Sequence, residues 1–396
     1  MSPTFFSHAL LKQSSTALAV CATLNIPSIK LFYNSEAVNI AALCLLAFAA
    51  LTSLYKKNIK HDAAVVLFFY FLFTIFSFAS IIWGRDHYTL TLLVQLFLTC
   101  FTPLLTIFLD IDRRCSTFIV FLLVSWGALI ALYYLIFGFE RGHYLHVSLP
   151  IGVALSAALT GLITTHSLFA RLVFSLLSTL FLVALFYTLS RSGLILPFLS
   201  LAFVAFLYAF AQKRLVKSTL QLFLTAAGLT FITLLLLNHG ITITQLERLE
   251  RGFQAIEDEP RLQIYSFWLN EFWEAPLLGQ GLGISRYHEF YPHNLFLDVA
   301  VSTGLIGLFF FILFILLSVY LIGVRAFHHN PSAIHYMLLA STLTIFLQWQ
   351  TSHDITTAYI PIIALIVAMK AFMATSRQYS LDSACGVKYP MQAQDN

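Results

Sequence analysis

Twelve apolar runs, each close to 20 residues long, leave this chain one class of fold. They lie at roughly 10–32, 36–54, 62–83, 88–109, 115–139, 144–165, 168–189, 192–211, 217–238, 295–324, 332–351 and 355–374. A helix needs about 20 apolar residues to cross a hydrocarbon core about 30 Å thick. Composition agrees, since 59% of the 396 residues are hydrophobic and only 10% are charged, against about a quarter in a soluble domain. The expected fold is an all-α integral membrane protein of about twelve transmembrane helices. Residues 1–375 form one polytopic membrane domain, interrupted by a loop at 239–294, and 376–396 form a polar tail. No clean small-residue cleavage site closes the first run, so it reads as a retained helix and not a removed signal peptide.

An even number of spans puts both termini on one side, and cytoplasmic loops carry the excess of Lys and Arg. With cytoplasmic termini, 14 cations fall inside and 8 outside, and the outer 8 are Lys30, Arg85, Arg141, Arg191, Arg248, Arg251, Arg261 and Arg286. Seven of those eight are arginines, whereas eight of the nine lysines are inside. Arginine presents a planar fork suited to phosphate and carboxylate, so the outer face reads as built for anions. Loop salt bridges account as well for Arg248 and Arg251, which stand among glutamates. The formal charge of +4 is spread over many short loops and gives no footprint for nucleic acid. Five cysteines without metal-ligand spacing imply no disulfide framework and no metal site.

Polar chemistry gathers in three places. Thr188-Leu-Ser-Arg-Ser-Gly193 joins two apolar runs with no polar loop around Arg191. A charge at that depth is costly and is normally paired or functional, and N–H groups free at a helix start favour phosphate; the competing reading is an arginine that snorkels to the interface. Pro197 should kink or loosen the helix that follows.

The second place is the loop 239–294. Leu246, Leu249, Phe253 and Ile256 repeat at helical spacing opposite Glu247, Arg248, Glu250 and Arg251, as in a helix lying along an interface. Pro260 opens a second helix, Arg261 to Glu274, with Leu262, Tyr265, Leu269 and Trp273 on one stripe and Trp268 and Phe272 beside it. Its two tryptophans suit headgroup level. Pro276, Gly279, Gly281 and Gly283 are expected to end it in a flexible turn.

The third is Tyr-Pro-His-Asn at 291–294, which turns directly into the tenth apolar run. His293 is there either a reactive group or a boundary residue capping the helix. Gly304 and Gly307 should give that helix a flat face for close packing. The remaining polar segments, Asp110-Ile-Asp112, Glu140-Arg-Gly-His143 and Ser352-His353-Asp354, read as solvated turns, the alternatives being a substrate contact for Glu140–His143 and a helper role in the chemistry for His353 and Asp354.

Ser-Arg-Ser-Gly at a helix junction, Arg261 ahead of Pro-Leu-Leu-Gly-Gln-Gly-Leu-Gly, and His-Asn before a helix with Gly-Leu-Ile-Gly occur here in that order. The ordered set, over about residues 187–310, resembles the O-antigen ligase and polymerase superfamily. The resemblance implies a membrane-embedded glycosyltransferase of the C type in the bacterial inner membrane, inverting and metal-independent, without cofactor, with its site facing the periplasm. It implies an undecaprenyl diphosphate-linked glycan as donor and lipid A–core oligosaccharide as acceptor. Arg191 and Arg261 match the family's diphosphate-binding arginines, and His293 matches its catalytic histidine. Relatives that polymerise repeat units or glycosylate proteins use the same donor. A twelve-helix secondary transporter or flippase is the rival of another class; such proteins usually carry repeats and broken or charged helices at the midplane, whereas here the charges gather at the run ends.

Overall fold

The computed structural model describes residues 3–33, 35, 37–53, 61–84, 90–138, 144–188, 190–212, 260–288, 290–329 and 331–384. Every regular element among them is helical. The α-helices are α1 (Pro3–Leu24), α2 (Ile26–Ile29), α3 (Ala37–Ser53), α4 (His61–Ala79), α5 (Leu90–Leu105), α6 (Arg113–Phe137) and α7 (Tyr144–Thr164). They continue as α8 (Leu168–Tyr187), α9 (Arg191–Ala211), α10 (Pro260–Glu274), α11 (Ile284–Tyr287), α12 (Leu295–His329), α13 (Ala333–Gln348) and α14 (Tyr359–Ala384). Each expected span other than 217–238 coincides with one of them. That run, the amphipathic stretch 246–256 with Arg248 and Arg251, the Glu140–His143 cluster and the side chain of Arg286 lie outside the described residues.

Among the described residues six helices are long and apolar enough to cross a membrane: α4 with its 3-10 extension to Ile82, α6, α7, α8, α9 and α12. Helices α3, α5 with its extension to Phe108, α13 and the apolar part of α14 are shorter. Helix α14 runs on to Ala384, through the first residues of the polar tail.

The bundle is centred on α7, which is buried along almost its whole length. The sequence permits this because Ser148, Gly152, Ala154, Ser156, Ala157, Ala158, Thr160 and Gly161 are small. Lipid gives helices no hydrophobic reason to associate, so close backbone approach between small residues does the work. A Cβ on Gly127 of α6 would meet the Cβ of Ala154 at 2.3 Å, and one on Gly193 of α9 would meet the Cβ of Ser148 at 2.6 Å. Pro197 also fits against Gly152, and α9 continues past it to Ala211. From α13, the Ser341 hydroxyl donates to the Val153 carbonyl at 3.3 Å.

Among the described residues, Lys370 and Arg325 stand at one end of the bundle and Arg191 and Arg261 at the other. At the first end Lys370 of α14 donates to the carbonyls of Thr106, Ile107 and Leu109, at 2.7, 2.6 and 2.6 Å, where α5 and its extension stop and carbonyls lack the next helical turn. Arg325 pairs there with Asp62 at 2.9 Å. Asp112 caps α6 by accepting from the Cys115 N–H at 2.8 Å, so of the Asp110–Asp112 pair only Asp110 stands exposed in the loop.

The other end is organised by a break. Gly304 has φ 64° and ψ −168°, splitting α12 into a short arm that starts at Leu295 and a long span. A break at membrane depth frees backbone groups that must be bonded within the protein. The segment after α10 supplies them. The N–H groups of Gln280 and Gly281 donate to the carbonyls of Val301 and Ser302 at 2.9 and 3.0 Å. In return the carbonyls of Pro276 and Leu277 accept from Leu305 and Ile306 at 2.8 and 3.4 Å.

This corrects two expectations. Gly304 is a backbone break and not a packing glycine, while Gly307 does face α4 at Phe76. The Pro-Leu-Leu-Gly-Gln-Gly-Leu-Gly segment is not a flexible turn: Gly279 and Gly281 have φ 74° and 105° and lie against backbone atoms of Ser302 and Gly84. Two further bonds tie it to the end of α4, from the Leu282 N–H to the Ser80 hydroxyl at 2.9 Å and from the Trp83 indole to the Leu278 carbonyl at 3.3 Å.

A side chain at 304 would incur about 1–2 kcal/mol of backbone strain and drive its Cβ to 2.3 Å from the Leu277 oxygen. Gly304→Ala should therefore lose most of its monodisperse protein in size-exclusion chromatography of detergent extracts. Gly323→Ala, where a Cβ meets nothing within 4 Å, should elute as wild type.

Candidate active site

The loop entering α12 answers what His293 does not do. Asn294 is the helix cap: its side-chain oxygen accepts from the Leu297 N–H at 3.0 Å and its carbonyl from Asp298 at 2.9 Å. His293 precedes the cap with φ 54°, a left-handed conformation uncommon outside glycine and found where surroundings enforce it. That turn takes its side chain out of the capping position and sets the imidazole 4.2 Å from the Tyr291 ring. Its Nδ1 is buried and has no hydrogen-bond partner.

Three elements bring charge to this ring. Arg261, at the start of α10, is close enough to press the His293 pKa down, and Asp354, in the turn between α13 and α14, pulls it up. Burial is the largest influence and lowers it, so the balance holds His293 below the ordinary histidine value of 6.5. The imidazole is therefore neutral near pH 7.

The position of Arg261 follows from how α10 packs. Trp268 is fully buried against Ile284 and Val301, with Ile264, Phe267, Phe272 and Leu297 around it. Leu262, Leu269 and Trp273 point away, Trp273 being 69% exposed. The expected stripe is thus inverted: only Trp273 is free to meet a headgroup layer, while Trp268 clamps α10 onto the short arm of α12. Gln280 adds a bond from its amide to the Glu271 carboxylate at 2.8 Å.

The turn 352–357, expected to be a solvated connection, is instead built into the site. The Tyr291 hydroxyl donates to the Ser352 carbonyl at 3.3 Å. The Ile355 N–H donates to the buried Asp298 carboxylate at 2.8 Å, and the Thr356 hydroxyl donates to Asp354 at 2.8 Å. His353 stacks on Trp349 at 4.2 Å and 21°, and it is close enough to His293 and to His146 of α7 to be influenced by both.

Arg191 joins the same end by a longer path. Ser190 caps α9, accepting from the Gly193 N–H at 3.0 Å, which puts Arg191 in the first turn. Ser192 accepts from the Gln348 amide at 3.1 Å, and Gln348 precedes the tryptophan on which His353 stacks. The fold therefore brings Arg261 and His293 into electrostatic contact and sets Arg191 at the edge of the cluster through Ser192 and Gln348.

The three residues singled out from sequence fall in one segment of the chain. Residues 174–312 match the family model for O-antigen ligase. The matched segment runs from within α8 to the long span of α12, and includes Arg191, Arg261 and His293. His146, His353 and Asp354 come from outside it. No curated protein matches the chain. The family is one of glycan-transferring membrane enzymes that take lipid-linked glycans.

A neutral, partly buried imidazole under the opposing influence of a guanidinium and a carboxylate is suited to taking a proton. Asp354 would stabilise the imidazolium that results, and Arg261 would keep the resting ring unprotonated. The two influences give opposite signs. If a neutral His293 is needed for turnover, the acid limb of the pH–rate profile follows its pKa. Arg261→Ala removes a lowering influence and should move that limb to higher pH; Asp354→Asn removes a raising one and should move it to lower pH. Steady-state rates between pH 5 and 8 on each variant check both directions.

Proposed function

We propose that this protein transfers O-antigen polysaccharide from undecaprenyl diphosphate to lipid A–core oligosaccharide, with inversion at the anomeric carbon. The observation that supports this reading most strongly is His293 itself: released from capping by Asn294, held neutral, within the electrostatic influence of Arg261 and Asp354, and part of the segment that matches the family model. In the full reading the chain is a twelve-helix enzyme of the C type, with cytoplasmic termini and its site facing the periplasm.

The reaction makes three demands. A diphosphate must be held, and arginines do this through charge-assisted, bidentate hydrogen bonds; Arg191 and Arg261 take that role. A proton must leave the acceptor hydroxyl, and His293 accepts it as the hydroxyl oxygen attacks the anomeric carbon. The bond from that carbon to the diphosphate oxygen breaks with its electron pair on the leaving group. The same two arginines stabilise the charge that develops there. The proton on His293 is then balanced by Asp354 until it passes to solvent. One displacement without an enzyme nucleophile inverts the centre, and a diphosphate leaves without needing an acid.

Purified protein in liposomes, given lipid-linked polysaccharide and lipid A–core, should form the ligated product. His293→Ala should insert normally and lose about 10²-fold or more in rate, the contribution typical of a general base. Wild-type turnover by that variant would remove His293 from the reaction. Arg191→Ala should weaken donor binding in a lipid-diphosphate titration while leaving the acceptor KM alone; unchanged donor affinity would end its diphosphate role. Lengthening of the lipid-linked glycan in place of ligation would identify a polymerase.

A further inference from the structure

Two ring nitrogens at this site are buried and have no hydrogen-bond partner, Nδ1 of His293 and Nε2 of His353. Buried polar atoms in folded proteins are nearly always paired, and an orphan calls for an explanation. Here the two orphans belong to imidazoles near enough for His293 to influence His353.

His353 is held in place without using that nitrogen. Its neighbour Ser352 accepts from Tyr291, whose ring lies 4.2 Å from His293. Asp354, which follows His353 in the chain, is close enough to influence His293. Behind the imidazole stands Trp349, fully buried and itself fixed by a bond from its indole N–H to the Thr357 hydroxyl at 3.2 Å. The turn is fastened again through Ile355 and Asp298. Backbone and stacking thus orient the ring, and Nε2 is left over.

A neutral imidazole carries one donor and one acceptor, the complement of a sugar hydroxyl. Burial, with His146 and His293 nearby, presses the His353 pKa down to about 3, so it stays neutral at any working pH and is too weak a base to carry the proton itself. A metal reading has no support, because no group of three or more His, Cys, Asp or Glu among the described residues is arranged to hold one.

We propose that His353 is an acceptor-binding residue, which with His293 holds a hydroxyl-bearing sugar of the acceptor at the point of attack. The inference rests on the glycan-transfer reading. It gives a reason for the site to extend beyond residues 174–312: the segment that matches the family holds the donor arginines and the base, while the turn between α13 and α14 contacts the acceptor.

The test is a two-substrate titration in liposomes, with undecaprenyl diphosphate-linked glycan as donor and lipid A–core oligosaccharide as acceptor. His353→Phe keeps the stack on Trp349 and removes both hydrogen-bonding atoms. It should raise the acceptor KM about tenfold, the loss expected when a buried bond to substrate is removed, with the donor KM unchanged. His353→Gln, which retains a donor and an acceptor, should recover part of the loss; should the Phe variant fail to purify, Gln against wild type carries the comparison, with a smaller rise expected. An unchanged acceptor KM, or equal rises in both KM values, overturns the assignment. Absence of turnover in wild type overturns the underlying reading as well, whereas turnover with an unchanged acceptor KM overturns this inference alone.

Discussion

The site depends on how a broken membrane helix is closed. Gly304 interrupts α12, and the backbone groups released there bond to the segment 276–281 instead of to each other. Within a membrane an unpaired backbone group costs several kcal/mol, so the short arm of α12 and the segment after α10 are coupled: neither is satisfied without the other. The short arm begins beside His293, and the segment ends the helix that Arg261 begins. One backbone seam therefore brings His293 and Arg261 to one place, with Trp268 filling the apolar space between the two elements.

Onto that seam the turn 352–357 is fastened from the other side. Asp298 sits in the short arm and receives the Ile355 N–H; Tyr291 sits in the loop before it and reaches the Ser352 carbonyl. The result is an imidazole enclosed by parts that are far apart in the chain, biased one way by Arg261 and the other by Asp354. A general base works best when neutral at rest and stabilised once charged. An arrangement with opposing neighbours meets both conditions, since the cation discourages idle protonation and the carboxylate receives the imidazolium.

Run length alone located the apolar helices that the described residues form, six of them long enough to cross a membrane, because a span of fixed thickness demands a fixed number of apolar residues. Ordered motifs and side assignment brought Arg191, Arg261 and His293 together, and the structure sets all three at one end of the bundle. What sequence could not decide was direction and conformation. Gly304 and Gly307 look alike in a row of letters, yet one is a left-handed break and the other a close contact. Helix α10 is apolar on two faces, so periodicity did not choose between burying Trp268 and burying Trp273. The central place of α7 was readable in its run of Gly, Ala, Ser and Thr, a signal that a hydropathy reading passes over. The roles of His353 and Asp354 were hidden for a different reason: they lie in a short polar stretch that resembles any solvated turn, and only packing shows that it meets the loop of His293.

The most direct test of the central claim is to locate the donor. A structure of the protein in lipid nanodiscs with undecaprenyl diphosphate-linked glycan should place the diphosphate against Arg191 and Arg261, with the anomeric carbon open to the side of His293 and His353. A diphosphate bound elsewhere, with that cluster empty, would contradict the account.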